Sequence, residues 1–287
     1  MVNPKISIII ATFNASEFIE RCLNSILLQK NNFVEVIVID GGSNDTTVDI
    51  IRSSKVVDYW KSEVDNGIYD AWNKGLEYAN GDWIMFLGAD DYLLEGAIDS
   101  YLKFVDSLKG PLDYISCRIK VVDKKGRFIS IRGMPWSWPR FLKETITAHP
   151  GSLHARSLFR EYGTYNIDYR IVGDSELLMR PKEHLRYAFL DRVTVVMQEG
   201  GVSDSFNAIW EFKKASVLTG GASPTLAFGY ALKISVKYLL KKVMRRLGAS
   251  ILLKNKMFCV CLVYFVSFIC VLILPWSYLV LAIYCFY

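Results

Sequence analysis

The stretch KISIIIATFN, residues 5–14, is a run of apolar residues that ends abruptly in a polar turn. A nearly unbroken apolar run of this length is typical of a parallel strand that is covered on both faces. The next stretch, residues 17–29, carries apolar side chains at helical spacing. The order strand, turn, helix predicts the first unit of an α/β protein.

The same alternation continues through the first hundred residues. It predicts strands at 33–39, 58–60 and 83–87, and helices at 45–53, 67–79 and 96–108. This succession indicates an open, mostly parallel sheet with helices on both faces. The second half is less regular. It predicts a hairpin of strands 114–122 and 127–131, short helices at 157–162 and 174–180, and short strands at 186–190 and 193–197.

The composition is uneven along the chain. Of 287 residues, 52% are apolar and 22% charged, with a net charge of +5, which excludes collagen-like and disordered classes. Residues 211–256 contain ten basic side chains and one acidic side chain, whereas residues 257–287 contain no charge. The six cysteines lack metal-binding spacing, and residues 6–11 are too short for the core of a signal peptide. A reduced, cytoplasmic main body is therefore expected.

These differences divide the chain into three predicted regions. They are a catalytic domain at 1–206, a basic amphipathic membrane-surface region at 207–256 and a hydrophobic membrane segment at 257–287. The last could be one kinked span or a re-entrant hairpin. Because the basic residues precede it, the body is expected on the cytoplasmic face of a bacterial inner membrane.

The basic region predicts a helix suited to an anionic membrane surface. Lys233, Lys237, Lys241 and Arg245 recur every four residues, beside a separate apolar row. The alternative is a helix packed on the body with a solvated charged face. The region lacks the aromatic interleaving of a nucleic-acid-binding surface, so no nucleic-acid partner is expected.

Polar or aromatic residues follow three of the predicted strands. Phe13 follows the first, Asp40 ends the second, and Asp90 and Asp91 follow the strand at 83–87. Ligands bind at the carboxyl ends of such strands, so these residues converge if the strands are neighbours. An aromatic ring can stack on a base, and a carboxylate can accept from a base N–H. Adjacent carboxylates can hold a hard divalent cation that neutralises a diphosphate.

Each residue has a simpler interpretation when it is taken alone. Asp40 before two glycines is common in turns, Asp90 and Asp91 could cap the next helix, and Phe13 could belong to the core. Their combination favours a ligand site. The chain has no P-loop, dinucleotide-binding or nucleophile-elbow motif, which argues against those site classes.

Several stretches, in order, resemble family 2 glycosyltransferases with the GT-A fold. They are SIIIATFN (7–14), VIDGGSND (38–45) and GDWIMFLGADD (81–91). The stretch SEVDNGIYDAWNKG (62–75) resembles the signature of a subgroup that builds bacterial surface polysaccharides such as O-antigen, capsule and exopolysaccharide. The resemblance covers roughly residues 4–206.

The resemblance implies a role for each strand-end residue in binding the sugar donor. Phe13 would flank the nucleotide base and Asp40 would bind it. Asp90 would contact the ribose, and Asp91 would hold a divalent metal, Mg²⁺ or Mn²⁺, on the diphosphate.

The resemblance also extends to residues beyond the strand ends. Asn73 and Lys74 would lie near the donor phosphates or sugar. Asp174 aligns with the carboxylate that these inverting enzymes use as general base, and His149 and Ser152 would face the acceptor.

Three departures from the family pattern stand beside these matches. Ala11 replaces a usual Pro, Pro150 replaces a polar residue, and the metal motif reads Gly-Ala-Asp-Asp with both carboxylates kept. Glu176 is a rival for the role of general base. Residues two apart on a helix point about 200° apart, so only one of Asp174 and Glu176 can face the cleft.

The resemblance thus implies an inverting hexosyl- or hexosaminyltransferase. The expected donor is a UDP-sugar, with a GDP-sugar as the second choice, and the expected acceptor is a lipid-linked saccharide or glycan. One alternative is transfer to polyprenyl phosphate itself. Another is a membrane protein that binds a sugar nucleotide without turnover.

Overall fold

The computed structural model describes residues 5–201 and 203–246. Its strands are β1 (Ile6–Thr12), β2 (Val34–Asp40), β3 (Tyr59–Ser62), β4 (Trp83–Gly88), β5 (Tyr92–Leu93), β6 (Tyr114–Val122), β7 (Phe128–Arg132), β8 (Leu153–Ala155) and β9 (Tyr187–Gln198). Its helices are α1 (Ile19–Leu27), α2 (Thr47–Ser53), α3 (Ile68–Tyr78), α4 (Ala97–Ser107), α5 (Trp138–Phe141), α6 (Arg156–Tyr162), α7 (Gly173–Met179), α8 (Phe206–Leu218) and α9 (Pro224–Arg246). The chain divides into two compact units between Asp204 and Ser205.

The parallel part of the sheet in the first unit has the order β3-β2-β1-β4. β1 is buried along its whole length, because β2 and β4 pair with its two edges in parallel and helices cover its faces. The strands and helices predicted within residues 5–108 are all present, with ends shifted by one or two residues. Their apolar periodicity is strong enough to reveal them without tertiary information.

The rest of the sheet is mixed, so the expectation of a mostly parallel sheet is wrong for this half. The order continues from β4 through β8, β6, β9 and β5, and β7 pairs with β6. The β4–β8, β8–β6, β6–β7 and β9–β5 pairs are antiparallel, whereas β6 and β9 are parallel. β8 has three residues and β5 has two, which is too short for a periodic pattern to predict them.

The two short strands predicted at 186–190 and 193–197 form the single strand β9. Leu190 pairs with Cys117 of β6 and Val193 pairs with Arg118, so the two residues between them interrupt the ladder. A bulge of this kind resembles a strand end in sequence, which explains the predicted gap.

Helices α1 and α3 cover opposite faces of β1. The buried side of α1 packs with Ile6, Ile8 and Ile10, whereas Gly75 of α3 lies against Ile9. A Cβ at Gly75 would overlap the Cγ2 atom of Ile9, so glycine allows α3 to lie this close to the sheet. This contact sets the position of α3.

The second unit contains the helix pair α8 and α9. Ser205 caps α8 by accepting a hydrogen bond from the N–H of Ala208. The residues of α9 that are buried here, Ala227, Ala231 and Ser235, recur every four residues. This buried row consists of small side chains, and several larger apolar side chains of α9 are exposed.

No helix within residues 5–201 and 203–246 combines the length and the apolar character that a membrane span requires. The hydrophobic segment predicted at 257–287 lies outside the described residues, as do residues 247–256 of the predicted basic region.

Candidate active site

The carboxyl ends of β2, β1 and β4 meet at one edge of the sheet, since these strands are neighbours. Thr12 lies beside Asp40, and Ala11 lies beside Gly88. The loops that follow β1 and β2 are joined directly, because the N–H of Gly41 donates to the carbonyl oxygen of Thr12 at 2.8 Å. The convergence that the sequence predicted is therefore present.

The ring of Phe13 is exposed at this edge, with 63% of the residue accessible to solvent. Two hydrogen bonds hold its turn: Asn14 N–H donates to Ser43 Oγ (2.7 Å), and Asn44 N–H donates to Asn14 Oδ1 (3.0 Å). Asn14 has a φ of 46°, which asparagine tolerates better than most residues. An exposed ring on a fixed turn suits stacking on a flat ligand, and its contact with a base stays a prediction.

Asp40 is fully buried. Its Oδ2 accepts from the N–H groups of Gly42 (3.1 Å) and Ser43 (2.9 Å) and from Ser62 Oγ (2.6 Å). Its Oδ1 accepts from Ser43 Oγ (2.5 Å). These bonds satisfy the carboxylate within the protein, so the side chain organises the loop after β2. This geometry does not support the predicted direct contact between Asp40 and a base.

A second carboxylate lies beside the same loop. The Oδ1 atom of Asp65 accepts from the N–H of Gly67 at 2.8 Å. A Cβ added at Gly41 would lie 2.6 Å from Asp65 Oδ2, so the absence of a side chain at Gly41 leaves room for this carboxylate. Asp65 is partly exposed. Asp65 was not among the site residues predicted from the sequence. It belongs to the stretch 62–75, and the resemblance of that stretch to a family signature is the sequence signal that points to Asp65.

Asp90 and Asp91 lie just after β4, separated from it by Ala89. Asp91 is buried, and its Oδ2 accepts from the N–H of Gly88 at 3.0 Å. Its Oδ1 has no hydrogen-bond partner within the part of the chain that the structure describes. Burial, followed by the charge of Asp90, raises the pKa of Asp91 to about 8. Both causes oppose its ionised form in the absence of a cation.

Asp90 and Asp91 fit a divalent cation that takes only some of its ligands from the protein. Mg²⁺ in nucleotide sites takes one or two carboxylates together with substrate phosphates and water. The unpartnered Oδ1 of Asp91 meets that requirement, with Asp90 beside it. Among the described residues, no cluster of three or more His, Cys, Asp or Glu side chains could hold a metal, so phosphate or water would complete the coordination.

Asn73 and Lys74 are engaged within the protein. The amide group of Asn73 donates to the carbonyl oxygen of Tyr165 (2.8 Å) and accepts from its N–H (2.9 Å). The ammonium group of Lys74 lies 3.1 Å from Glu63 and 3.6 Å from Asp70. Asn73 thus connects α3 to a distant loop, and Lys74 belongs to a charge network. Their predicted contacts with the donor stay predictions.

Asp174 and Glu176 have different surroundings in α7. Glu176 is buried and forms a 2.6 Å ion pair with Arg180, the residue that caps the C-terminal end of α7. Asp174 is half-buried, and its Oδ1 lies 3.1 Å from the hydroxyl oxygen of Tyr69. Burial raises the pKa of Asp174 above its usual range, while hydrogen bonds oppose that rise. A carboxylate with a raised pKa suits proton uptake better than one that is paired with arginine.

His149 and Ser152 differ in exposure. His149 is half-buried and stacks on Trp72, with ring centroids 4.6 Å apart. Burial lowers its pKa to about 3, so the imidazole is neutral at physiological pH. Ser152 is fully buried, and its hydroxyl donates to the carbonyl oxygen of Ala148. The expectation that Ser152 faces an acceptor is therefore corrected, because its hydroxyl reaches no surface.

Comparison with known proteins extends the similarity beyond single motifs. The family description "Glycosyl transferase family 2" matches residues 7–162, slightly more than half of the chain. A relative from Mycobacterium bovis named "PGL/p-HBAD biosynthesis glycosyltransferase" is 31% identical over 186 residues, which cover 63% of this chain and 70% of the relative.

Solved structures share the fold at low sequence identity. S. aureus TarS in complex with UDP-GlcNAc has a TM-score of 0.59 and 19% identity, and the alignment covers 82% of this chain and 72% of TarS. The mannosyltransferase PcManGT from Pyrobaculum calidifontis, in complex with GDP-Man and Mn²⁺, has a TM-score of 0.60 and 18% identity, with 90% and 82% covered. The family match spans the loops after β1, β2 and β4, which form the candidate site. We conclude that the chain is a glycosyltransferase that belongs to family 2 and has the GT-A fold.

Proposed function

We propose that the chain transfers a sugar from a nucleoside diphosphate sugar to an acceptor hydroxyl, with inversion of the anomeric centre. The observation that carries the proposal is Asp91 Oδ1, a buried carboxylate oxygen without a donor among the described residues. It lies just after β4, on the edge of the sheet where Phe13 is exposed. A cation-bound diphosphate attached to a flat base matches this chemistry.

Asp91, with Asp90 beside it, would hold Mg²⁺ or Mn²⁺. The bound ion supplies positive charge to the leaving diphosphate. The protein's own contribution is to keep two carboxylates at one strand end and to exclude water from one of them. A low-dielectric setting strengthens the attraction between carboxylate and ion.

Thermal-shift measurements test the donor part of the proposal. UDP-GlcNAc and GDP-Man, each with and without Mn²⁺, should differ in how far they raise the melting temperature, because a true donor stabilises the folded state by mass action. We expect the larger shift with the UDP-sugar, and only when Mn²⁺ is present. Asp91→Asn should remove the Mn²⁺-dependent part. An equal shift in that variant would contradict the assignment.

Phe13 and Asp65 are the side chains proposed to contact the nucleotide base. Phe13 offers an exposed ring, and Asp65 offers a partly exposed carboxylate beside Gly41. Replacing Asp65 by alanine should weaken UDP binding about tenfold, which is typical for a lost hydrogen bond to a charged group. Asp40→Asn serves as the comparison, and its expected effect is on folding stability. If Asp40→Asn alone weakened UDP binding in a folded protein, Asp40 would be the base-binding residue.

On the acceptor side, Asp174 is proposed to take the proton from the attacking hydroxyl. Its half-buried carboxylate accepts a hydrogen bond from the phenol of Tyr69, whereas Glu176 is paired with Arg180. Attack from the face opposite the leaving group inverts the anomeric centre. NMR of the first-formed product tests this directly, since retention of configuration would contradict it. A protein that binds donors but shows no turnover with any acceptor would support the alternative of a non-catalytic binder.

The proposed acceptor is a lipid-linked saccharide in bacterial surface polysaccharide synthesis. Support comes from the resemblance of residues 62–75 to the subgroup signature and from the biosynthetic name of the mycobacterial relative. Transfer to polyprenyl phosphate is the second candidate. Parallel assays with a polyprenyl diphosphate saccharide and with polyprenyl phosphate separate the two.

The second unit is proposed to bind the anionic, cytoplasmic face of the bacterial inner membrane. Leu232, Leu239 and Val243 lie on one side of α9 and are 40%, 50% and 51% exposed. Lys237 is exposed on the same helix. Apolar side chains flanked by lysines bind anionic bilayer surfaces through burial in the interface and charge attraction.

Vesicle co-sedimentation of a chain ending at Lys256 tests this proposal. Replacing Leu232, Leu239 and Val243 by serine should abolish binding to vesicles of any charge. Replacing Lys233 and Lys237 by glutamine should remove only the preference for anionic lipid. Binding that is unaffected by the three serines would contradict a role for this face.

A further inference from the structure

Tyr69 places its phenol group between two acceptors near Asp174. The residue lies in the first turn of α3 and is 5% exposed. Its hydroxyl oxygen lies 2.8 Å from the carbonyl oxygen of Ile171 and 3.1 Å from Asp174 Oδ1. A phenol has one proton, so it can be shared between these acceptors or directed to either one. The contact links α3 to the start of α7, about one hundred residues later in the chain.

The ring of Tyr69 is held by packing. A Cβ at Gly173 would lie only 3.0 Å from the Cδ2 and Cε2 atoms of the ring, so a glycine directly before Asp174 allows the ring to lie against α7. Trp72 and Tyr165 contact its other sides, with ring centroids 5.5 Å and 5.3 Å away. The hydroxyl therefore has a set position relative to the backbone that carries Asp174.

We propose that Tyr69 is a positioning residue for Asp174: its phenol donates to Oδ1 and so orients the carboxylate that takes the proton of the acceptor hydroxyl. This inference rests on the proposed role of Asp174 as general base. The proton passes from the acceptor oxygen to the carboxylate of Asp174, the acceptor oxygen bonds to the anomeric carbon, and the bond to the diphosphate breaks. Tyr69 keeps its own proton throughout.

The hydrogen bond from Tyr69 should be measurable through the pKa of Asp174. Burial raises the pKa of Asp174, and the hydrogen bond from Tyr69 is among the contacts that lower it. The other titratable groups that face it are the phenols of Tyr165 and Tyr114, whose pKa values its charge helps to raise. On its own helix, Glu176 is paired with Arg180. Loss of the Tyr69 hydroxyl should therefore raise the pKa of Asp174.

The experiment is a pH profile of kcat/KM for Tyr69→Phe at saturating Mn²⁺, which keeps Asp91 ionised. A general base must be deprotonated to act, so a higher pKa moves the acid limb of the profile to higher pH. We expect a shift of about one pH unit and a fall in plateau kcat of about tenfold, the size of one hydrogen bond to a charged group. The KM for the donor should change less than about twofold, because the proposed role of the phenol is to orient Asp174 and not to bind the donor.

Tyr165→Phe is the matched control. It removes a phenol from the same aromatic group, but that hydroxyl lies 3.1 Å from His149 Nε2, so the acid limb should stay in place. Gly173→Ala is an independent variant that keeps both the phenol and the carboxylate but presses on the ring, and it should also move the limb upward. If Tyr69→Phe does not fold, Gly173→Ala is the variant that tests the proposal.

The outcomes separate this inference from the proposed function. If Tyr69→Phe lowers the rate equally at every pH, Tyr69 is merely structural and the inference is overturned. If Asp174→Asn is inactive while Tyr69→Phe leaves the limb unmoved, the inference fails alone. If Asp174→Asn retains full activity, the general-base assignment fails, and the inference fails with it.

Discussion

At the scale of single residues, the surroundings of Asp91 disfavour its ionised form. Its pKa of about 8 in the metal-free protein, caused by burial and then by Asp90, lies far above the value of about 3.9 expected when the chain is unfolded. Between these two values, the native state binds one more proton than the unfolded state. Stability should therefore fall as pH rises toward 8, by at most about 1.4 kcal/mol per pH unit.

Melting curves of the metal-free protein between pH 6 and 8 test this expectation. The wild-type melting temperature should decrease across that range, whereas Asp91→Asn, which cannot titrate, should show a flatter profile. Mn²⁺ with UDP should restore wild-type stability at pH 8 and leave the variant unchanged. Parallel pH profiles for the two proteins would show that Asp91 is not the titrating group.

Neutral substitutions of Asp174 and Glu176 should affect different properties of the protein. Asp174→Asn removes the proposed base and should lower kcat by about 10² to 10⁴, with donor affinity nearly unchanged. Glu176→Gln breaks the buried pair with Arg180 and should lower the free energy of unfolding by about 1.5–3 kcal/mol, while the folded fraction stays active. Steady-state kinetics and urea denaturation of both variants measure this. An inactive Glu176→Gln protein of normal stability would reverse the roles.

At the scale of elements, α3 connects β1 to the loop that contains Tyr165. Its Gly75 allows close approach to Ile9 of β1, and its Asn73 makes two hydrogen bonds to the backbone of Tyr165. A helix held at both places can keep Tyr69 in a set position against α7. The stretch 62–75 thus has a structural function in addition to any contact with the donor.

Asn73→Ala should therefore act mainly on stability. Loss of two partly buried hydrogen bonds predicts a decrease of about 1–3 kcal/mol in the free energy of unfolding, measured by urea denaturation. Donor affinity, measured by calorimetry on the folded protein, should change less than about twofold. Lys74→Met is the companion variant, since Lys74 interacts with Glu63 and Asp70. A large loss of donor affinity in either variant would support the donor contacts that the family resemblance implies.

At the scale of the whole molecule, every candidate site residue lies before the division at Asp204. A chain ending at Asp204 should therefore show the same Mn²⁺-dependent thermal shift with UDP as the full chain, within about twofold in affinity, because mass action depends only on the binding site. Calorimetric titration of both chains measures this. Loss of nucleotide binding in the shorter chain would show that residues after Asp204 complete the site.

The strands and helices of the parallel half of the sheet, and the family, could be predicted from the sequence alone, whereas the strand order came from the structure. The strands and helices within residues 5–108 follow from local apolar periodicity, and the polar residues after β1, β2 and β4 mark a shared edge. These features depend on neighbours in the chain, so they can be derived without the fold. The convergence of Phe13, Asp40 and Asp91 on one edge was expected only if their strands were neighbours, and the structure shows that they are.

Which side chains remain available for chemistry depends on contacts between residues that are distant in the chain. Asp40 is satisfied partly by Ser62, and Asn73 by Tyr165. Asp91 Oδ1 lacks a donor among the described residues, although in sequence it is the second of two equivalent aspartates. Short strands such as β8 and β5 likewise take their pairing direction from distant partners. Hydrogen-bond satisfaction depends on which groups meet in space across many residues, and no local pattern encodes that.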